Sequence, residues 1–107
     1  MEISSAELQE KINNGEKMVV DFWAEWCGPC RMQKPIFEQV SQNAIENNSD
    51  VSYYTFNVES DKSFAASLGI RSIPTIKSFS NGKEVTTKVG LMDESQLKNL
   101  ETILING

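Results

Sequence analysis

The chain reads as an α/β protein, a mixed central β-sheet of four to five strands with helices on both faces. Three observations predict this. Two apolar runs, at residues 18–23 and 51–58, are separated by a long helical segment, and strands joined by a crossover helix pair in parallel. Asn81-Gly82 stands between two strand-like segments and signals a tight hairpin, which adds antiparallel strands. Helical segments before, between and after these strands are enough to cover both faces of a sheet.

The elements follow in order. Residues 4–14 predict a short helix: Ser4 can cap it with Glu7 reaching back, Leu8 and Ile12 lie one turn apart, and Gly15 can end it. The run Met18-Val19-Val20-Asp21-Phe22-Trp23 suits a strand buried on both faces. Residues 30–48 form a long helix with Phe37, Val40, Ala44 and Ile45 on its apolar side, and Pro35 should kink it. Gln33 and Lys34 read as its solvated face.

Residues 51–58 are rich in aromatic and β-branched side chains, as strands are. Ser60 or Asp61 then opens a short helix carrying Phe64 and Leu68, closed by Gly69. The hairpin strands are residues 75–79 and 84–89. In the second, alternation puts Val85, Thr87 and Val89 on one face and Glu84, Thr86 and Lys88 on the other. Asp93 caps a last helix with Gln96 at its third position and Leu97, Leu100 and Leu104 as its stripe. Whether residues 1–4 add a first edge strand is open, because the segment is so short.

With 107 residues and 39% hydrophobic content, the chain can build one core and is too short for two, so one domain over residues 1–107 is expected. No apolar run approaches the roughly 20 residues that span a bilayer. The first residues lack the basic and apolar regions of a secretory leader, so a cytoplasmic protein without a membrane partner is expected. The net charge of −5 weighs against nucleic-acid binding. Having no histidine, the chain cannot use Ser–His or Cys–His catalysis or a histidine metal ligand. Nothing points to an obligate oligomer, and a monomer is expected.

Cys27 and Cys30 are the only cysteines, and they flank Gly28-Pro29 where a buried strand meets a helix. A helix N-terminus offers unpaired N–H groups and the positive end of the dipole, and both favour a thiolate at Cys27. Arg31 adds a cation. Cys30 lies one turn further in, less exposed and able to close a disulfide. Proline costs little here, since its missing N–H is no loss in the first turn. A zinc site needs about four ligands, which only carboxylates could complete. A purely structural bridge is a poor explanation, because so short a loop constrains the unfolded chain little. A redox pair is the expectation. Asp21 interrupts an apolar strand and should be buried and reluctant to ionise, either as a proton-transfer group or in a structural ion pair. Ile73-Pro74-Thr75 reads locally as a turn or a strand start.

The run Val20-Asp21-Phe22-Trp23-Ala24-Glu25-Trp26-Cys27-Gly28-Pro29-Cys30 resembles the active-site strand and turn of the thioredoxin family, of the Trp-Cys-Gly-Pro-Cys type. The resemblance continues through Pro35, residues 69–75, Phe79, Asn81-Gly82 and Lys88-Val89-Gly90, nearly the whole chain from Met18 on. It implies a thioredoxin fold and a protein-disulfide reductase without a cofactor of its own. Cys27 would be the nucleophile, Cys30 the resolving thiol and Asp21 the acid beneath Cys30 that relays its proton through water. Ile73–Pro74 would be the cis-proline loop, packed against the cysteines and excluding metal from them. Substrate would lie across Trp26, Ser72, Ile73 and Pro74 on one side and Val89, Gly90 and Leu91 on the other, its backbone pairing with Ile73.

Three departures qualify the resemblance. Thr55 stands where the family often has a lysine near the acid, so Asp21 should be harder to ionise here. Ser72 replaces a common glycine, and Leu91 is bulkier than the usual alanine. Partners implied are disulfide-containing proteins and, as electron donor, a thioredoxin reductase that is NADPH-dependent (a flavoprotein) or ferredoxin-dependent. Gly-Pro between the cysteines resembles the reducing members rather than the oxidases and isomerases of the same fold. A binding module with incidental redox activity is the rival from another class, since an apolar rim of Trp26, Ile73, Pro74 and Leu91 would serve either purpose.

Overall fold

Capping chemistry sets the first and last helices of the computed structural model, which describes residues 1–107. α1, Ser5–Asn13, is closed at its start by a capping box between Ser4 and Glu7, and Gly15 follows with a φ of 74°. α4, Glu94–Asn106, begins with the same device built from Asp93 and Gln96. Between them lie β1 (Met18–Trp23), α2 (Gly28–Glu46), β2 (Ser52–Asn57), α3 (Lys62–Ser67), β3 (Thr75–Ser80) and β4 (Lys83–Val89). A single 3-10 turn, Val58–Ser60, precedes α3 and has no separate signal in the sequence.

The sheet order is β2-β1-β3-β4, with β1 parallel to β2 and antiparallel to β3. Residues 1–4 contribute one isolated parallel bridge, Glu2 to Thr55, rather than a full strand. The Ile3 amide donates to the Thr55 carbonyl and the Thr55 amide to the Met1 carbonyl, at 3.0 and 2.9 Å. The sheet therefore has four strands, and its β2 edge is covered for about one residue pair.

β1 is central and buried on both faces, so its alternation splits the core in two. Val19 meets Phe37, Val40 and Ala44 of α2 and Leu97, Leu100 and Leu104 of α4. Met18, Val20 and Phe22 meet Leu8 of α1, Ala65 of α3, and Phe56 and Phe79. Helices α2 and α4 thus cover one face, and α1 and α3 the other.

Four expectations are corrected. α2 starts two residues earlier than residue 30, because Cys27 itself is the N-cap, its sulfur accepting from the Cys30 amide at 3.2 Å. Ile45 is exposed, while Gln33, expected in solvent, is completely buried. The buried stripe of α2 runs Cys30, Gln33, Phe37, Val40, Ala44, the 3–4 spacing of one helical face, and Ile45 falls one residue off it. In β4 the register shifts opposite Ser78 and Phe79, so Glu84 pairs with Phe79 and Thr86 with Ser78. That bulge turns Glu84 onto the face of Thr87, where both bond the buried Lys77.

Candidate active site

The strand-to-helix turn after β1 brings the cysteines together. They are bonded, with Cα atoms 5.2 Å apart, and both are buried, Cys27 being 5% and Cys30 4% exposed. In the oxidised form burial therefore does not separate them. Their placement does: Cys27 is the N-cap, and Cys30 begins the inward stripe of α2. Gly28 and Pro29 occupy the first two helical positions and face solvent. The Arg31 guanidinium donates to the Glu25 carbonyl at 3.0 Å and so bridges the turn.

The Ile73–Pro74 peptide is cis, and the Ile73 carbonyl oxygen lies 3.7 Å from Cys27 Sγ. Pro74 is buried, Ile73 half-buried and Ser72 exposed. The Thr75 hydroxyl donates back to the Ser72 carbonyl and closes this loop. The Gly90 amide donates to the Pro74 carbonyl at 2.8 Å, so the segment after β4 is fastened to the same loop. Gly90 has a φ of 96°, a conformation glycine adopts without the Cβ clash of other residues. Val89 and Leu91 on either side are exposed, 61% and 42%. Trp26 is 67% exposed and borders a groove of about 180 Å³ with Val58, Ala66, Ile70 and Ile73. Of these, Val58, Ala66 and Ile70 escaped the sequence reading, which had only the motif residues to go on.

Asp21 is the buried acid of β1. It is 3% exposed, its Oδ1 has no hydrogen-bond partner, and it lines with Cys30 an open cavity of about 820 Å³. Burial, and behind it the negative charge of Glu2, pushes its carboxyl up to about 7. Thr55 is its register partner on β2 and brings no cation. Instead the Thr55 hydroxyl donates to Glu2 Oε1 at 2.6 Å, the Trp23 indole donates to the same oxygen at 2.8 Å, and the Asn57 amide to Oε2 at 2.8 Å. Glu2 is thus held at the cavity wall by three donors. Arg31 and Lys34 of α2 line the same cavity, as do Glu25 and Glu38. No cluster of three or more His, Cys, Asp or Glu is placed to hold a metal ion.

Gln33 is another residue the sequence reading missed. Its side chain accepts from the Met92 amide at 2.7 Å and donates to the Met92 carbonyl at 3.0 Å. The 30-33-37 spacing was the signal that could have found it.

Comparison with known proteins agrees with this geometry. The Thioredoxin family profile matches residues 1–102. A thioredoxin of Porphyra purpurea is 41% identical over 91 residues, covering 85% of this chain and 82% of that one. The crystal structure of Malassezia sympodialis thioredoxin superposes with a TM-score of 0.80 at 37% identity, over 95% of this chain and 89% of that one. Chloroplastic thioredoxin z superposes with a TM-score of 0.85 at 26% identity, over 99% and 94%. With a closable Cys27–Cys30 couple at a helix N-terminus and these relatives, the chain belongs to the thioredoxin family and is a thiol–disulfide oxidoreductase with protein-disulfide reductase activity.

Proposed function

We propose that Cys27 is the attacking thiol, Cys30 the resolving thiol and Asp21 the group that moves the Cys30 proton, all within one domain over residues 1–107. The observation that carries this is the position of the pair: one sulfur at the helix N-cap, the other over the Asp21 cavity. The Cys27 thiolate attacks a substrate disulfide, forms a mixed disulfide and releases one substrate thiolate. Asp21 takes the Cys30 proton. Cys30 then attacks the Cys27 sulfur, releases the second substrate thiolate and closes the Cys27–Cys30 disulfide, so two electrons pass to the substrate. A carboxyl that titrates at about 7 can accept and return a proton near neutral pH.

Substrate lies across Trp26, Ser72, Ile73 and Pro74 on one side and Val89, Gly90 and Leu91 on the other. The exposed Trp26, Ser72, Val89 and Leu91 around the half-buried Ile73 support this reading. The electron donor is a thioredoxin reductase, NADPH- or ferredoxin-dependent, and the chain needs no cofactor of its own. It works as a monomer in the reducing cytoplasm, where a dithiol persists, and there contributes to redox homeostasis. No helix is long and apolar enough to cross a membrane.

Reduction of insulin by dithiothreitol, with wild type, Cys27→Ser and Cys30→Ser compared, tests the proposal. Wild type is expected to accelerate the reaction and both variants to lose that acceleration, Cys30→Ser by stalling as a mixed disulfide. No acceleration by folded, reduced wild type would overturn it and favour a binding module.

A further inference from the structure

We propose that Gln33 is a positioning residue that sets the place of the substrate-binding lip at Val89, Gly90 and Leu91 relative to the helix carrying Cys30. The inference rests on the reading of that lip as a substrate surface.

Gln33 follows Cys30 by one helical turn and is completely buried. A buried primary amide is costly unless both its oxygen and its nitrogen find partners. Both do, and on a single residue: the Met92 amide donates to Oε1 at 2.7 Å and Nε2 donates to the Met92 carbonyl at 3.0 Å. The pair of bonds fixes orientation as well as distance, since a one-bond contact could pivot. Met92 is itself buried and ends the segment that includes the exposed lip. Upstream of it the Gly90 amide, at the middle of the lip, donates to the Pro74 carbonyl, and Val89 pairs with Thr75 across the sheet. The lip is thus fastened at two points, through Gly90 to the cis-proline loop and just past Leu91, at Met92, to α2. An apolar residue at position 33 would leave the second anchor without a partner.

Substrates differ in their need for the lip. A protein disulfide whose backbone lies in the groove depends on it, whereas a small aromatic disulfide needs only the Cys27 sulfur. Single-turnover reduction of insulin and of 5,5′-dithiobis(2-nitrobenzoate) by the reduced protein therefore separates positioning from general damage. Gln33→Leu is expected to slow insulin reduction about tenfold, as misplaced binding groups do, and to leave the small disulfide within about twofold. Equal losses with both substrates, or no loss with either, overturn the proposal.

Gln33→Glu gives a second arm should the leucine variant unfold. A protonated carboxyl can accept from the Met92 amide and donate to its carbonyl, while the ionised form can only accept. Relative to wild type, its insulin rate is expected to recover at acid pH and fall at alkaline pH, with no matching change for the small disulfide. A flat ratio overturns the proposal. Leu91→Asp serves as reference: if it leaves insulin reduction intact, the lip reading itself fails, whereas an effect of Leu91→Asp without one of either Gln33 variant defeats the Gln33 assignment alone.

Discussion

Asp21 makes the stability of the oxidised protein depend on pH. Its carboxyl titrates at about 7 in the fold against an ordinary value of 3.8. Between those values the folded chain keeps a proton that the unfolded chain has lost, so stability falls as pH rises from one to the other. Below the lower value there is no penalty, and above the upper one it is complete, about 4 kcal/mol. Asp21→Asn cannot ionise. In urea unfolding of the disulfide form it is expected to gain about 4 kcal/mol more, relative to wild type, at pH ~8 than at pH ~4. An unchanging difference would show that Asp21 ionises freely in the fold. Such an acid is legible in sequence because it breaks an apolar strand. Glu2 is not, because its three donors lie 21, 53 and 55 residues away. Gln33 escaped for another reason: a polar residue on a helix is read as solvated unless its spacing is weighed above its polarity.

At the scale of the element, boundaries were legible wherever a side chain closes its own backbone. Ser4 with Glu7, Asp93 with Gln96, and Asp61 ahead of α3 do so within three residues. The hairpin is equally local. Asn81 and Gly82 have φ of 57° and 80°, as a type I′ turn requires. Gly82→Ala is expected to cost about 1–2 kcal/mol in thermal or urea unfolding. Its added Cβ would sit 3.5 Å from the Ile12 carbonyl, an ordinary contact, so the cost is conformational rather than steric. A loss near zero would contradict this. The β4 bulge was not legible, because alternation counts residues and cannot see the one that is skipped. Lys77 reveals it: only with Glu84 turned over does its buried ammonium have a carboxylate to pair with.

At the scale of the molecule, the mixed sheet with helices on both faces was legible from a few periodicities, because each face of β1 needs its own cover. Phe22 lies at the centre of the α1–α3 side, completely buried and edge-on to Phe56 at 5.8 Å between centroids. Phe22→Ala is expected to cost about 4 kcal/mol in unfolding free energy. A cost below about 1 kcal/mol, read from the urea midpoint, would mean that this side collapses around the cavity. The order β2-β1-β3-β4 also bears on how the chain is made. The strand beside β1 on the hairpin side begins only at Thr75, so a nascent chain leaving the ribosome carries β1 with one open edge until then. Cys27 and Cys30 emerge long before Pro74, Gly90 and Met92. During synthesis the dithiol is therefore on display, and open to oxidation, before the loops that later screen it exist.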